Sequence, residues 1–135
     1  MSRGHVLLVE DEFLISDMIS GALSDDGFDV QAFGTAEPAL RHLAAGARVD
    51  LLLTDINLPG GCDGATLALR ARELCPWLPV IYASACGPGT FRMVPGAAFV
   101  AKPYVPERVC ALVRQLAVSR PARPRASATL LGADA

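Results

Sequence analysis

Short runs of consecutive apolar residues alternate along the chain with longer stretches in which apolar residues recur every three or four positions. Val6-Leu7-Leu8-Val9 is the first run, and an unbroken apolar run suits a strand covered on both faces, so a first strand is expected over His5 to Val9. Between Glu12 and Asp26, the positions Phe13, Ile15, Met18, Ile19, Ala22 and Leu23 read as a helix stripe that Gly27 stops. Residues 28–33 predict a second, shorter strand. Thr35 stands as an N-cap with Pro38 in the first turn of a helix over 36–45, which Gly46 ends. A third and most apolar strand follows over 49–54, then the loop Ile56 to Gly64 with Pro59, Gly60 and Gly61. A helix over 65–74 is stopped by Pro76, and further strands are expected over 79–83 and 98–101. Val109, Leu112, Val113 and Leu116 mark a last helix, with Pro106 near its start.

Repeated βα units imply parallel strands, right-handed crossovers and helices on both faces of one sheet, which is the α/β class. The fourth unit departs from the others. Gly87, Pro88, Gly89, Pro95 and Gly96 crowd the stretch between Ala85 and Ala97, leaving room for about one helical turn and predicting a mobile connection. From residue 119 to residue 135 the apolar period is lost, so a domain over 1–118 and a disordered tail are expected.

At 135 residues the chain has the size of one ordinary domain, able to fold without disulfides or a structural metal. Its 12 basic and 14 acidic residues give a near-neutral balance, and the tail carries three arginines and Asp134, leaving 9 basic against 13 acidic residues in the domain. That balance gives no reason to expect a nucleic-acid partner. No apolar run is long enough for a membrane span or a signal peptide, so a cytoplasmic chain is expected. Cys62, Cys75, Cys86 and Cys110 show no C-x-x-C spacing and only two histidines, His5 and His42, accompany them, so free thiols are expected and a zinc site is not. Of the 12 basic residues, 11 are arginine and the remaining one is Lys102.

Open parallel α/β sheets bind ligands beyond the carboxyl ends of their strands. Those ends carry Glu10 and Asp11 after the first strand, Asp55 after the third, Ser84 after the fourth and Lys102 after the fifth. Carboxylates gathered this closely repel one another and call for protons or a cation. Hard oxygen ligands without histidine suit Mg²⁺. A cation there would leave one carboxylate able to act as a nucleophile, with Ser84 and Lys102 able to bind an incoming anion.

With these residues in place, the chain resembles a response-regulator receiver domain over about residues 4–118. The resemblance rests on Val6-Leu7-Leu8-Val9-Glu10-Asp11-Glu12, Leu52-Leu53-Thr54-Asp55-Ile56-Asn57-Leu58-Pro59-Gly60, Ala83-Ser84-Ala85 and Phe99-Val100-Ala101-Lys102-Pro103-Tyr104, in that order. It implies a doubly wound, flavodoxin-like five-stranded parallel sheet of order 2-1-3-4-5, with a short or degenerate fourth helix in this chain. It also implies a single-domain regulator, not an enzyme in its own right, that takes a phosphoryl group from a histidine kinase or histidine phosphotransferase. Such a protein acts as a phosphoryl shuttle or sink, or as a switch that binds another protein, and contributes catalysis only to its own phosphorylation and dephosphorylation. By position, Asp55 is the phosphoacceptor. Asp11 binds Mg²⁺ directly, Glu10 through water, and Asp55 and the Asn57 carbonyl complete the set. Ser84 and Lys102 hold phosphoryl oxygens, the Lys102–Pro103 bond is cis, and Phe99 is the aromatic that turns inward as Ser84 moves. Tyr82-Ala83-Ser84-Ala85 partly matches a subclass of the family with a Phe-Ala-Thr-Gly motif.

Plainer roles stand beside these. Glu12 reads as an acid favouring a helix start, Asp63 as the cap of the third helix, and Tyr104 as a packing or partner contact. Cys86 either lines the site or is an inert thiol, and His42 is expected on a solvent-facing helix surface. Two rival functions remain open at this point. A receiver-like scaffold that never carries phosphate would fit the short fourth helix, although the intact set Glu10, Asp11, Asp55, Ser84 and Lys102 opposes it. A nucleotide-binding or flavodoxin-like domain would need a phosphate loop after the first strand, where Glu10-Asp11-Glu12 stands instead.

Overall fold

The computed structural model describes residues 2–85 and 91–119. In chain order they form β1 (His5–Val9), α1 (Phe13–Asp25), β2 (Asp29–Phe33), α2 (Ala36–Ala44), β3 (Leu51–Asp55), α3 (Gly64–Leu74), β4 (Val80–Ser84), β5 (Ala98–Ala101) and α4 (Pro106–Ser119). The five strands make one sheet in the order β2-β1-β3-β4-β5, and every pairing is parallel. The expected architecture and strand order are therefore present.

β3 and β4 are buried at every position, which is why they read as unbroken apolar runs. Alternate residues serve opposite faces. Leu7, Val9, Leu52, Val80 and Tyr82 pack with residues of α2 and α3, whereas Val6, Leu8, Leu51, Leu53 and Ile81 pack with α1 and α4. Burying one such leucine stabilises the fold by about 2 kcal/mol. Gly27 and Gly46 follow α1 and α2 with φ of +95° and +89°, a left-handed turn that a side chain would strain. Asp63 caps α3 as expected, its carboxylate accepting from the Thr66 amide at 2.8 Å. Thr35 sits at the N-cap of α2 with extended backbone, but its hydroxyl makes no capping hydrogen bond.

The stripe expected on α1 needs correction. Ile15, Ile19, Ala22 and Leu23 face the sheet, whereas Phe13 is 77% and Met18 44% exposed, and the neighbouring Leu14 is 80% exposed. At about 100° per residue, Phe13 and Met18 lie roughly a quarter turn or more from Ile19, so one helix cannot bury all of them against one sheet. His42 also departs from expectation. It is half-buried, with its ring 5.5 Å from that of Phe33.

Among the described residues no helix lies between β4 and β5, in keeping with the expected degenerate fourth unit. The described part of that connection is nevertheless tied down. The Val94 amide donates to the Tyr82 hydroxyl at 3.0 Å, and the Phe91 ring meets Tyr82 edge-on at 5.0 Å and Phe99 at 6.2 Å. Cys86, residues 87–90 of the Gly/Pro stretch and the tail from residue 120 lie outside the described residues.

Candidate functional site

Because the strands run parallel, their carboxyl ends meet along one edge of the sheet. Val9 pairs with Thr54, Asp55 with Ala83 and Ser84 with Ala101, which sets Glu10, Asp11, Asp55, Ser84 and Lys102 at that edge. Glu10, Asp11 and Asp55 each offer a carboxylate oxygen within 4.8 Å of the others. Lys102 reaches between two of them, with Nζ 2.8 Å from Asp55 Oδ2 and 3.1 Å from Glu10 Oε1. The Lys102–Pro103 peptide is cis. Ser84 is buried at the end of β4, and its carbonyl accepts from the Lys102 amide at 2.9 Å.

Further donors fix the carboxylates. Glu10 Oε2 accepts from the Glu12 amide at 3.1 Å, and Asp55 Oδ1 from the Asn57 amide at 3.4 Å. The Tyr104 hydroxyl donates to Glu10 Oε1 at 3.3 Å. Tyr104, expected only as a packing or partner contact, thus also holds a site carboxylate. Glu12, assigned to the helix start, contributes its backbone to the same site. The Thr54 hydroxyl donates to the Asp55 carbonyl at 2.9 Å. Nothing in the sequence pattern distinguishes Thr54 or Tyr104 for these contacts, since they depend on how neighbouring strand ends and the loop after β5 come together.

Burial dominates the electrostatics. It pushes the Glu10 carboxyl above its usual range, against the Glu12 amide and Lys102, which pull it down. Burial works the other way on Lys102, but pairing with Asp55 and Glu10 outweighs it, so the ammonium is held above the ordinary lysine value. Burial, then the negative charge of Glu10, pushes the Tyr104 hydroxyl well up, which keeps it a donor. The edge therefore carries more carboxylate than one ammonium can balance.

This donor set fits a small hard cation. Its ligand atoms are carboxylate oxygens, and among the described residues it is the one acidic, histidine or cysteine group close enough to hold an ion. Glu10, buried, already has three donors on its two oxygens, while Asp11 is exposed. Phe13, Leu14 and Met18 of α1, the helix that follows Glu10 and Asp11 in the chain, and Val105, three residues after Lys102, are exposed apolar residues, Val105 at 55%. Ile15, Met18, Ala85, Pro103 and Tyr104 line a hollow of about 350 Å³ next to Lys102.

The model of the response regulator receiver domain family matches residues 6–114. The chain belongs to that family. It is 35% identical over 120 residues to the transcriptional regulatory protein CreB of Escherichia coli K12, covering 86% of this chain and 52% of CreB. A response regulator receiver protein from Sinorhizobium medicae superposes with a TM-score of 0.82 at 29% identity, covering 87% of this chain and 97% of that one. The receiver domain of the hybrid histidine kinase CckA gives 0.72 at 30% identity, covering 83% and 97%. The chain thus spans about half the length of CreB. No described helix is long and apolar enough to cross a membrane.

Proposed function

We propose that this receiver domain works in the cytoplasm and accepts a phosphoryl group on Asp55. The observation that carries the reading is the bridge from Lys102 Nζ to Asp55 Oδ2 at 2.8 Å and Glu10 Oε1 at 3.1 Å, inside a cluster of three carboxylates. A structural ion pair needs one acid for one base. This surplus of acid is suited to a cation and to the charge of a phosphoryl group.

The donor is the phosphohistidine of a histidine kinase or histidine phosphotransferase. An oxygen of the Asp55 carboxylate forms the new O–P bond as the P–N bond breaks. The imidazole nitrogen leaves with that electron pair and takes up a proton from solvent. Lys102 shifts from pairing two carboxylates to pairing a phosphoryl oxygen, whose negative charge takes their place in favouring the ammonium form. Ser84 donates to a second oxygen. Asp11, Asp55 and the Asn57 carbonyl would hold Mg²⁺, with Glu10, whose oxygens are already engaged, supporting it from beside them. When bound, Mg²⁺ offsets the negative charge shared by these carboxylates and the incoming phosphoryl group.

Phe13, Leu14, Met18 and Val105 supply the apolar surface on which a donor protein rests while its histidine reaches Asp55. Phe99, packed beside Phe91, is the residue whose turn reports the phosphorylated state. The output of this domain is phosphoryl relay, or a changed surface that binds another protein. Phosphate-affinity gel mobility after acetyl phosphate treatment tests the reading. A shifted band that needs Mg²⁺ and is lost in Asp55→Asn is expected. Failure to shift with acetyl phosphate, together with no response to beryllofluoride and Mg²⁺, would favour a scaffold that never carries phosphate.

A further inference from the structure

Gly64 begins α3, nine residues after Asp55, yet its backbone lies directly against that of Asp55. Its amide donates to the Ile56 carbonyl at 2.8 Å. A Cβ at this position would overlap the Asp55 carbonyl oxygen and stand 2.8 Å from both the Asp55 carbonyl carbon and the Ile56 Cα. Non-bonded carbons prefer about 3.5–4.0 Å. The obstructing atoms are main chain, so no side chain can rotate away to make room. The Asp55 carbonyl is also fixed from the strand side by the Thr54 hydroxyl, which donates to it at 2.9 Å, and Ile56 by the hydrogen bond that its amide donates to the Ala83 carbonyl at 3.1 Å. Asp55 is thus clamped between β3 and the first residue of α3.

We infer that Gly64 is a positioning residue for the Asp55 carboxylate. Its lack of a side chain lets the loop after β3 fold back far enough to hold Asp55 where Lys102, Glu10 and Asp11 converge. Gly61, in the same loop, supplies the contrast. A Cβ there meets nothing within 4 Å, and its φ lies outside the left-handed region. The two glycines look equivalent in the sequence and differ in whether the site depends on them. The inference rests on the reading of Asp55 as phosphoacceptor.

Lys102 is the only lysine in the chain, so protein labelled with ¹³Cε-lysine gives a single lysine methylene signal, which reports its pairing with Asp55 and Glu10. In Gly64→Ala that signal should move without any Mg²⁺ present. Its Mg²⁺ midpoint should rise by about tenfold or more, as for lost supports of metal ligands. Phosphorylation by acetyl phosphate should slow by about 100-fold, as for ångström-scale misplacement of a reacting group. Gly61→Ala should match the wild type in all three. A folded Gly64→Ala with the wild-type signal and midpoint, or a Gly61→Ala equally impaired, overturns the inference. If Gly64→Ala gives no cooperative melt, amide exchange in the wild type decides. Binding at Asp55 must strengthen whatever holds Asp55 in place, so Mg²⁺ with beryllofluoride should slow exchange at Gly64 more than at Gly61. Equal change at both overturns the role. A wild type that neither binds Mg²⁺ nor takes up phosphate removes the reading of the site and the inference with it, whereas a working wild type beside an unaffected Gly64→Ala removes the positioning role alone.

Discussion

β3 is bracketed by two buried aspartates that the same strand sends in opposite directions. Asp50, just before it, is 3% exposed, and Asp55, at its end, is 6% exposed. Asp50 is part of a closed exchange with β1. Its amide donates to the His5 carbonyl at 2.8 Å, the His5 amide donates to Asp50 Oδ2 at 2.8 Å, and Arg48 Nε lies 3.4 Å from the same oxygen. Each charge there has its own partner. Asp55 instead shares one ammonium with Glu10 and stands beside Asp11. Burial is common to both residues, so burial does not mark the reactive one. The balance of charge around each carboxylate does. A matched aspartate pins two strands together, whereas an unmatched cluster costs stability unless a cation or a transferred group uses it.

The sharpest break in this comparison is the pair Asp55→Asn and Asp50→Asn. The first should abolish phosphoryl uptake while the second, where folded, keeps it, as phosphate-affinity gels will read. Lys102→Met comes next. Removing the one base among three carboxylates should cost about 3–5 kcal/mol without Mg²⁺, as for other broken buried pairs. Mg²⁺ should then raise the variant's melting temperature by more than it raises the wild type's. An unchanged melting temperature would mean that the lysine does not balance the cluster. Asp50→Ala should lose about 1.5–3 kcal/mol, the range for a hydrogen bond to a charged group, with phosphorylation rates in the folded fraction unaltered. The smallest effect expected is that of Phe13→Ala. It should slow transfer from a phosphohistidine protein by about tenfold, the scale of one good interface anchor, and leave transfer from acetyl phosphate and the melting temperature unchanged.

The parallel sheet was legible because β3 and β4 are covered on both faces and so appear as unbroken apolar runs, whereas its strand order followed only from the resemblance to receiver domains. The convergence of Glu10, Asp11, Asp55, Ser84 and Lys102 was legible for a related reason, since a parallel sheet gathers its strand ends on one edge. Helix α1 was harder. Phe13 and Met18 share the apolarity of Ile19, and only the packed sheet determines which of them it covers. Contacts that involve the main chain left still less trace. Neither the approach of Gly64 to Asp55 nor the hold of Tyr82 on Val94 has a spacing signature, because both depend on loops closing in three dimensions. Asp50 likewise has no signature in the sequence, since its partners include a backbone amide on another strand and an arginine two residues away.

The most direct test of the account locates the phosphoryl group chemically. Borohydride reduces an aspartyl phosphate, but not a free carboxylate, to homoserine, so treating the phosphorylated protein and mapping its peptides by mass identifies the residue that carried phosphate. Homoserine at position 55, formed only in the presence of Mg²⁺ and a donor, is the predicted result. Homoserine at position 50 or 11, or its absence from a protein shown to hold phosphate, would contradict the assignment of Asp55 as the acceptor.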